Sequence, residues 1–235
     1  MRRVDPELAV GSGAHMVTLL RSTAVSSARP PVLPWRASLP VITAPNVMIR
    51  ELRTSDADSL FAILTTEDVS RLMSAPPATL DGFERFIAWT RRERAEGLSV
   101  CFGIVPRGEP SAVGVIQVRA RDTRWDVAEW GFAIGSQYWG TGLFMAAARA
   151  TLDFTFGALG VVRLEARAAV NNGRGIGALM KLGAREEGVL RRSLRVRGEC
   201  LDQALWTLSE TTVARFSAIP WARRSIDAAR RAEES

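Results

Sequence analysis

Histidine is nearly absent from this sequence. The single one, His15, lies in a polar stretch near the N-terminus. That excludes histidine-centred nucleophilic catalysis and any histidine-rich metal site, and no metal is expected. Cysteine is scarce as well. Cys101 and Cys200 allow at most one bridge, so a disulfide scaffold is excluded and two free thiols in a reducing compartment are expected. A cysteine nucleophile would have no histidine beside it. Lysine occurs once, at Lys181, against thirty arginines. The sequence also lacks a run of about 18 apolar residues, the length that crosses a bilayer. Arg2 and Arg3 are followed by Asp5 and Glu7 rather than by an apolar stretch, which does not fit a secretory signal. A soluble cytoplasmic protein is expected, with no membrane partner.

What remains is an ordinary globular composition. The 235 residues are 47% hydrophobic and 24% charged, which fits one large domain or two small ones. The formal net charge is +6, and such an excess attracts phosphates or acidic surfaces. The arginines are scattered rather than gathered in a stripe, so nucleic acid is not the expected partner.

Residues 1–45 carry Gly11-Ser12-Gly13, Ser26-Ser27, Pro30-Pro31, Pro34 and Pro40, and read as a flexible extension. Order is expected from about Val47, with a strand over 47–52. Ser55 followed by Asp58 has the spacing of a capping box for a helix to about Leu64. Thr79 opens a second helix. Leu80, Phe83, Phe86 and Ile87 recur at helical spacing, and Gly97 stands where a C-terminal cap belongs. From Val100 the hydrophobic period changes to two, and 100–105, 112–118 and 126–134 read as antiparallel strands. A helix over 142–156, a strand over 161–168 and a short helix over 173–182 follow. Two last strands, 184–194 and 200–208, are joined by a turn at Arg197-Gly198-Glu199. The result is an α/β (α+β) domain over 46–210, with a mostly antiparallel central sheet flanked by helices. Residues 211–235, with Arg223, Arg224, Arg230 and Arg231, read as a basic helical tail.

The stretch with chemical content is DVAEWGFAIGSQYWGTG, from Asp126 to Gly142. It reads as a strand, a glycine-containing turn and a helix start. Unpaired N–H groups at a helix start favour anions, and the helix dipole adds to that. Glycines let a phosphate approach the backbone without a Cβ in the way. A plain helix N-terminus with glycines for packing would look the same. No Gly-Lys-Ser/Thr follows, so this is not a nucleotide P-loop. In the preceding strand Trp130, Phe132 and Ile134 share one face, and Glu129, Gly131 and Ala133 share the other. Glu129 thus stands beside two very small residues, which leaves room for a ligand next to a carboxylate. A solvated glutamate on a sheet face is the alternative.

Gln137-x-x-Gly140-x-Gly142 resembles the acetyl-CoA signature of the GCN5-related N-acetyltransferases. More closely, the chain is similar to the RimJ/RimL-type branch of that family. Glu129-Trp130-Gly131-Phe132 matches the Glu-x-Gly-aromatic run of the branch, and residues 163–166 match its Arg-Leu-Glu-Ala strand. Asn172, Lys181 and Gly183 match a third motif. The resemblance spans about 46–210. It implies a central sheet splayed at the cofactor site and direct acetyl transfer from acetyl-CoA to a primary amine. The amine is that of a protein N-terminus, as in ribosomal-protein alanine acetylation, or of a small molecule. The chain is expected to act as a monomer or homodimer.

The resemblance also implies roles for residues. Phe132, Ala133, Ile134, Gln137, Tyr138, Trp139, Gly140, Thr141, Gly142 and Leu143 would bind acetyl-CoA. The amides of 137–143 would hold its pyrophosphate, and an amide near Ala133 would polarise the thioester. Glu129 is the candidate base. Asn172 either caps the following helix or bonds the cofactor or orients the substrate, and these roles are compatible. The chain departs from the branch where its Ser is Gly175, its Phe is Ala184 and its helix Glu is Ala146. Leu179 stands about where other branches carry an acidic Tyr. The usual proton donors are therefore missing. Two other readings stand beside this one: the missing donors suggest a non-catalytic acyl-CoA-binding or regulatory module, and the arginine excess with both tails suggests a basic RNA- or ribosome-associated binding protein.

Overall fold

The computed structural model describes residues 35–214. In chain order its elements are β1 (Ile42–Ala44), β2 (Val47–Glu51), α1 (Ala57–Leu64), α2 (Glu67–Ser70), α3 (Leu80–Ala95), β3 (Ser99–Pro106) and β4 (Gly114–Ala120). Then come β5 (Val127–Ile134), α4 (Leu143–Gly157), β6 (Arg163–Ala169), α5 (Gly173–Lys181), β7 (Arg185–Val196), β8 (Glu199–Leu208) and α6 (Glu210–Ala214). The strands form one sheet in the order β1-β2-β3-β4-β5-β6-β8-β7. The β5–β6 pair is parallel, and α4 supplies the crossover that a parallel pair requires. The other neighbours are antiparallel.

Two apolar cores sandwich the first half of the sheet. On one face Leu143, Ala147 and Phe154 of α4 and Leu179 of α5 pack on Ile49, Phe102, Ile116 and Trp130. On the other, Leu60 and Leu64 of α1 and Phe83 and Ile87 of α3 pack on Cys101, Val105 and Ala133. Strand β3 has both faces covered, and seven consecutive residues of it are buried. That explains its continuous apolar run where a half-covered strand would alternate. Strand β7 is the opposite case, exposed along most of its length.

Local signals behave as the residues dictate. Thr79 caps α3, its hydroxyl accepting from Gly82 N–H at 3.0 Å. Gly97 ends that helix with φ +78°, a conformation that favours glycine. The start of α1 differs from the Ser55/Asp58 expectation. A single helical turn, Thr54–Asp56, leads into it, and the Asp56 carboxylate closes that turn by accepting from Arg53 N–H at 2.7 Å.

The expected boundary at residue 45 lies inside the fold. Trp35 is buried and meets Trp125 edge-on at 5.3 Å. Trp125 in turn donates its indole N–H to Gly97 O at 2.9 Å. Residues Ile42–Ala44 pair with β2. A short strand between Pro40 and Pro45 has too few residues to show a period, which hid it in the sequence. Residues 1–34, with His15, and the arginines of the tail beyond 214 lie outside the described residues.

Both cysteines are free thiols. Burial, with the charge of Glu51 behind it, pushes the Cys101 thiol up to about 12, while Cys200 is exposed. Native protein is therefore expected to take up one equivalent of maleimide, at Cys200, and a second only on unfolding. Rapid labelling of both thiols in the native state would contradict this packing.

Candidate active site

The sheet forks. Strands β5 and β6 pair only from Val127↔Arg163 to Trp130↔Ala166. Beyond that point β5 continues along β4 to Ile134, and β6 continues along β8 to Ala169. The far half of β5 is left with one edge open. Gly135 N–H donates to Val113 O at 3.0 Å, on the β4 side, and Asp126 O accepts from Val162 and Arg163 N–H on the β6 side. Backbone groups alternate sides along a strand. The N–H groups of Phe132 and Ile134 therefore face the fork, and that of Ala133 is turned toward β4. Of the amides near Ala133, those of Phe132 and Ile134 are thus the ones open to a ligand in the fork.

Past Ile134 the chain makes a single helical turn, Ser136–Tyr138, and enters α4 through Gly140 and Gly142, with φ of +78° and +82°. Thr141 ties the turn down: its hydroxyl donates to Tyr138 O at 2.8 Å and accepts from Leu143 N–H at 3.3 Å. The N–H groups of Phe144 and Met145 find no acceptor among the described residues, as expected in a first turn. A Cβ built on Gly140 or Gly142 meets nothing within 4 Å. Close packing inside the chain is thus not what these glycines serve.

A cleft of about 680 Å3 lies over this loop. Phe132, Ala133, Ile134, Tyr138, Trp139, Gly140 and Gly142 line one side of it, and the start of α5 with Asn172 lines another. Three of the expected contacts are not among its lining residues. The Gln137 side chain folds over Gly135, Thr141 is engaged in the turn, and Leu143 is buried in the core. Asn172 is the cap of α5, its Oδ1 accepting from Gly175 N–H at 2.9 Å, and it faces the cleft as well.

Glu129 is not in the cleft lining. It sits on the face of β5 away from Phe132 and Ile134, 28% exposed, with Arg121 at 3.5 Å and Arg167 at 3.8 Å. Beside it, Gly131 is exposed and has nothing within 4 Å of a built Cβ. The room expected next to this carboxylate is there.

Sequence reasoning missed two parts of the site. One wall is the segment from Asp68 to Met73, brought in by α1 and α2, and no local pattern announces it. The other is Arg174, whose guanidinium lies 4.1 Å from the Trp139 ring centroid at the rim of the cleft. A signal for Arg174 exists. A cation in the first turn of a helix opposes the dipole, so its presence there points to a ligand. Lys181, at the other end of α5, also lines the cleft. Among the described residues no group of three acidic, His or Cys side chains is placed to hold a metal ion. No helix among them is long and apolar enough to cross a membrane.

A forked sheet with a glycine-rich helix start at its mouth defines an acyltransferase class. Residues 46–185 match the family model described as an acetyltransferase (GNAT) domain, and the chain belongs to this family. It is an N-acetyltransferase with the GNAT fold. Enzymes of this family use acetyl-CoA.

Its relatives include the uncharacterised N-acetyltransferase YoaA of Bacillus subtilis strain 168. That protein is 24% identical over 174 residues, which is 72% of this chain and 96% of YoaA. A second, p20 of Bacillus licheniformis, is 26% identical over 161 residues, 68% of this chain and 90% of p20. Among solved structures, Mycobacterium smegmatis RimJ in complex with CoA-disulfide aligns with a TM-score of 0.66 at 24% identity, over 81% of this chain and 92% of that one. The ribosomal-protein-S5-alanine acetyltransferase from Vibrio fischeri aligns with a TM-score of 0.65 at 19% identity, over 72% and 96% of the two chains. At these identities the two structures speak to the fold alone.

Proposed function

We propose that this protein binds acetyl-CoA in the fork and transfers its acetyl group to a primary amine, with a protein N-terminus as the first candidate and a small-molecule amine as the second. The carrying observation is the coincidence of two unsatisfied backbone sets, the open β5 edge and the first turn of α4. An extended pantetheine arm fits the first, since its amides pair as a strand does. A pyrophosphate fits the second.

Acetyl-CoA supplies the activated acyl group. The chain's own residues do the rest. The amides of Phe144 and Met145 hold phosphate oxygens at the positive end of α4. Arg174, fixed over Trp139, adds a cation at the rim. Phe132 N–H, the fork-facing amide nearest the apex, donates to the thioester oxygen as negative charge gathers on it. Glu129, reached from the acceptor face beside Gly131, takes the proton that the ammonium must lose, directly or through water. The acetyl carbon then forms its bond to nitrogen and breaks its bond to sulfur, and the second proton that the nitrogen sheds passes, directly or through water, to the departing CoA thiolate.

The test follows CoA release from acetyl-CoA with a panel of amines and N-terminal peptides. Glu129→Gln is expected to lower turnover about 100-fold, the usual reach of a general base, with acetyl-CoA affinity within about twofold of the parent. A variant as active as the parent between pH 6 and 9 removes Glu129 from the mechanism. Failure of the parent to bind acetyl-CoA removes the whole reading.

A further inference from the structure

The face of the sheet that carries Glu129 is a lattice of paired charges. Arg119 donates to Glu93 of α3. Arg163 donates to Glu165 at 2.9 Å and, with two nitrogens, to Glu187 at 2.8 and 2.6 Å. Thr207 adds a further bond to Glu187 at 2.8 Å. Each of these carboxylates accepts hydrogen bonds.

The exception lies at the apex of the fork. Arg121, Glu129 and Arg167 stand together there, with side chains 48%, 28% and 32% exposed. They touch only as ion pairs, at 3.5 and 3.8 Å. Among the described residues neither guanidinium has a hydrogen-bond acceptor, and Glu129 accepts no hydrogen bond. Arg167 is the first residue of β6 past the last β5–β6 pair. Gly131, its counterpart on β5, leaves open space above. Two guanidiniums thus face one carboxylate around an open floor. Glu165, the next acid on that face of β6, is already held by Arg163.

We propose that the acceptor is an amine with a carboxylate close by, and that Arg121 and Arg167 bind that carboxylate while Glu129 receives the ammonium. This rests on the acetyl-transfer reading and names its substrate class. A guanidinium is a planar fork matched to a carboxylate. An acceptor's carboxylate takes up the unused guanidinium N–H groups, and Glu129 is left free for the amine. Two sources carry this chemistry: a free amino acid, and a chain end whose N-terminal amine lies next to an acidic side chain. A purely cationic amine would place charge against two arginines.

The test uses the full chain saturated with CoA, which gives binding without turnover. Four probes are titrated by calorimetry: alanine, alaninamide, and the dipeptide amides Ala-Asp and Ala-Lys. A carboxylate-bearing probe is expected to bind at least about 10-fold tighter than its matched partner, the effect of one charge-assisted hydrogen bond. Preference within the first pair indicates a free amino acid, and within the second an acidic chain end. Arg167→Gln is expected to cut the preference below about threefold, and Arg121→Gln to do the same, with CoA affinity unchanged.

Equal binding within both pairs, or binding of none of the probes, overturns the proposal. So does a loss in Arg167→Gln that is the same for acids and amides. A parallel turnover assay separates this from the wider reading. Selective binding without acetylation strikes the acetyl-transfer reading and spares the recognition. Acetylation of alaninamide and Ala-Lys as fast as of the acids strikes the recognition alone.

Discussion

Gly142→Val is expected to weaken acetyl-CoA binding at least about 100-fold while the protein stays folded. The two effects separate because of where the side chain goes. Its backbone φ of +82° strains an L-residue by roughly 1–2 kcal/mol, a modest part of the ~5–15 kcal/mol that holds a domain together. No atom lies within 4 Å of the new Cβ, so nothing inside the chain is pushed aside. The space it fills is the approach to the unpaired Phe144 and Met145 amides. Two hydrogen bonds to a charged phosphate, at ~1.5–3 kcal/mol each, account for a loss of two to four decades. Calorimetric titration with acetyl-CoA and a thermal melt read the two quantities. Affinity within about threefold of the parent would show that the glycine loop is not the phosphate cradle.

Asp56→Ala is expected to be the most costly single change for stability, on the order of 3–5 kcal/mol, because it leaves a buried cation without its partner. Arg50 is 3% exposed and Asp56 fully buried. Two nitrogens of Arg50 reach the carboxylate at 2.7 and 2.9 Å, and Ala112 N–H adds a bond at 2.9 Å. For a domain of this size the loss corresponds to about 10 °C in Tm.

The pH dependence has a definite sign. Burial pushes the Asp56 carboxyl up, but the bonds from Arg50, Arg53 N–H and Ala112 N–H and the charge of Arg50 outweigh it and hold the group below its ordinary 3.8. A carboxyl depressed in the folded state contributes stability above its unfolded value, lost as pH falls through the folded one. The gap between parent and variant should therefore be full at neutral pH and narrow below about pH 4. Urea midpoints across pH 3 to 7 measure it. A gap that stays constant would assign the effect to packing rather than to charge.

Much of the fold was legible because the hydrophobic period changes where the elements change. The glycine loop and Asn172 were legible because caps and helix starts are local. Trp35 was not, since its partner Trp125 lies ninety positions away and only the folded chain brings them together. The Asp68–Met73 wall was hidden for the same reason. The identity of the fork-facing amides needed strand register, which a sequence period cannot supply: a period says which side chains share a face, not which edge an N–H meets. The pairing of Glu129 with Arg121 and Arg167 likewise depends on which strands are neighbours.

Lys181 stands at the wall of the cleft and is the chain's one lysine. An enzyme that acylates amines encounters its own surface more often than any other molecule. Guanidinium groups keep their proton and offer no free electron pair. Carrying its positive charge on arginine at every basic position but one thus keeps that charge inert to its own reaction, and the one side-chain amine in the sequence already stands at the reagent's doorstep.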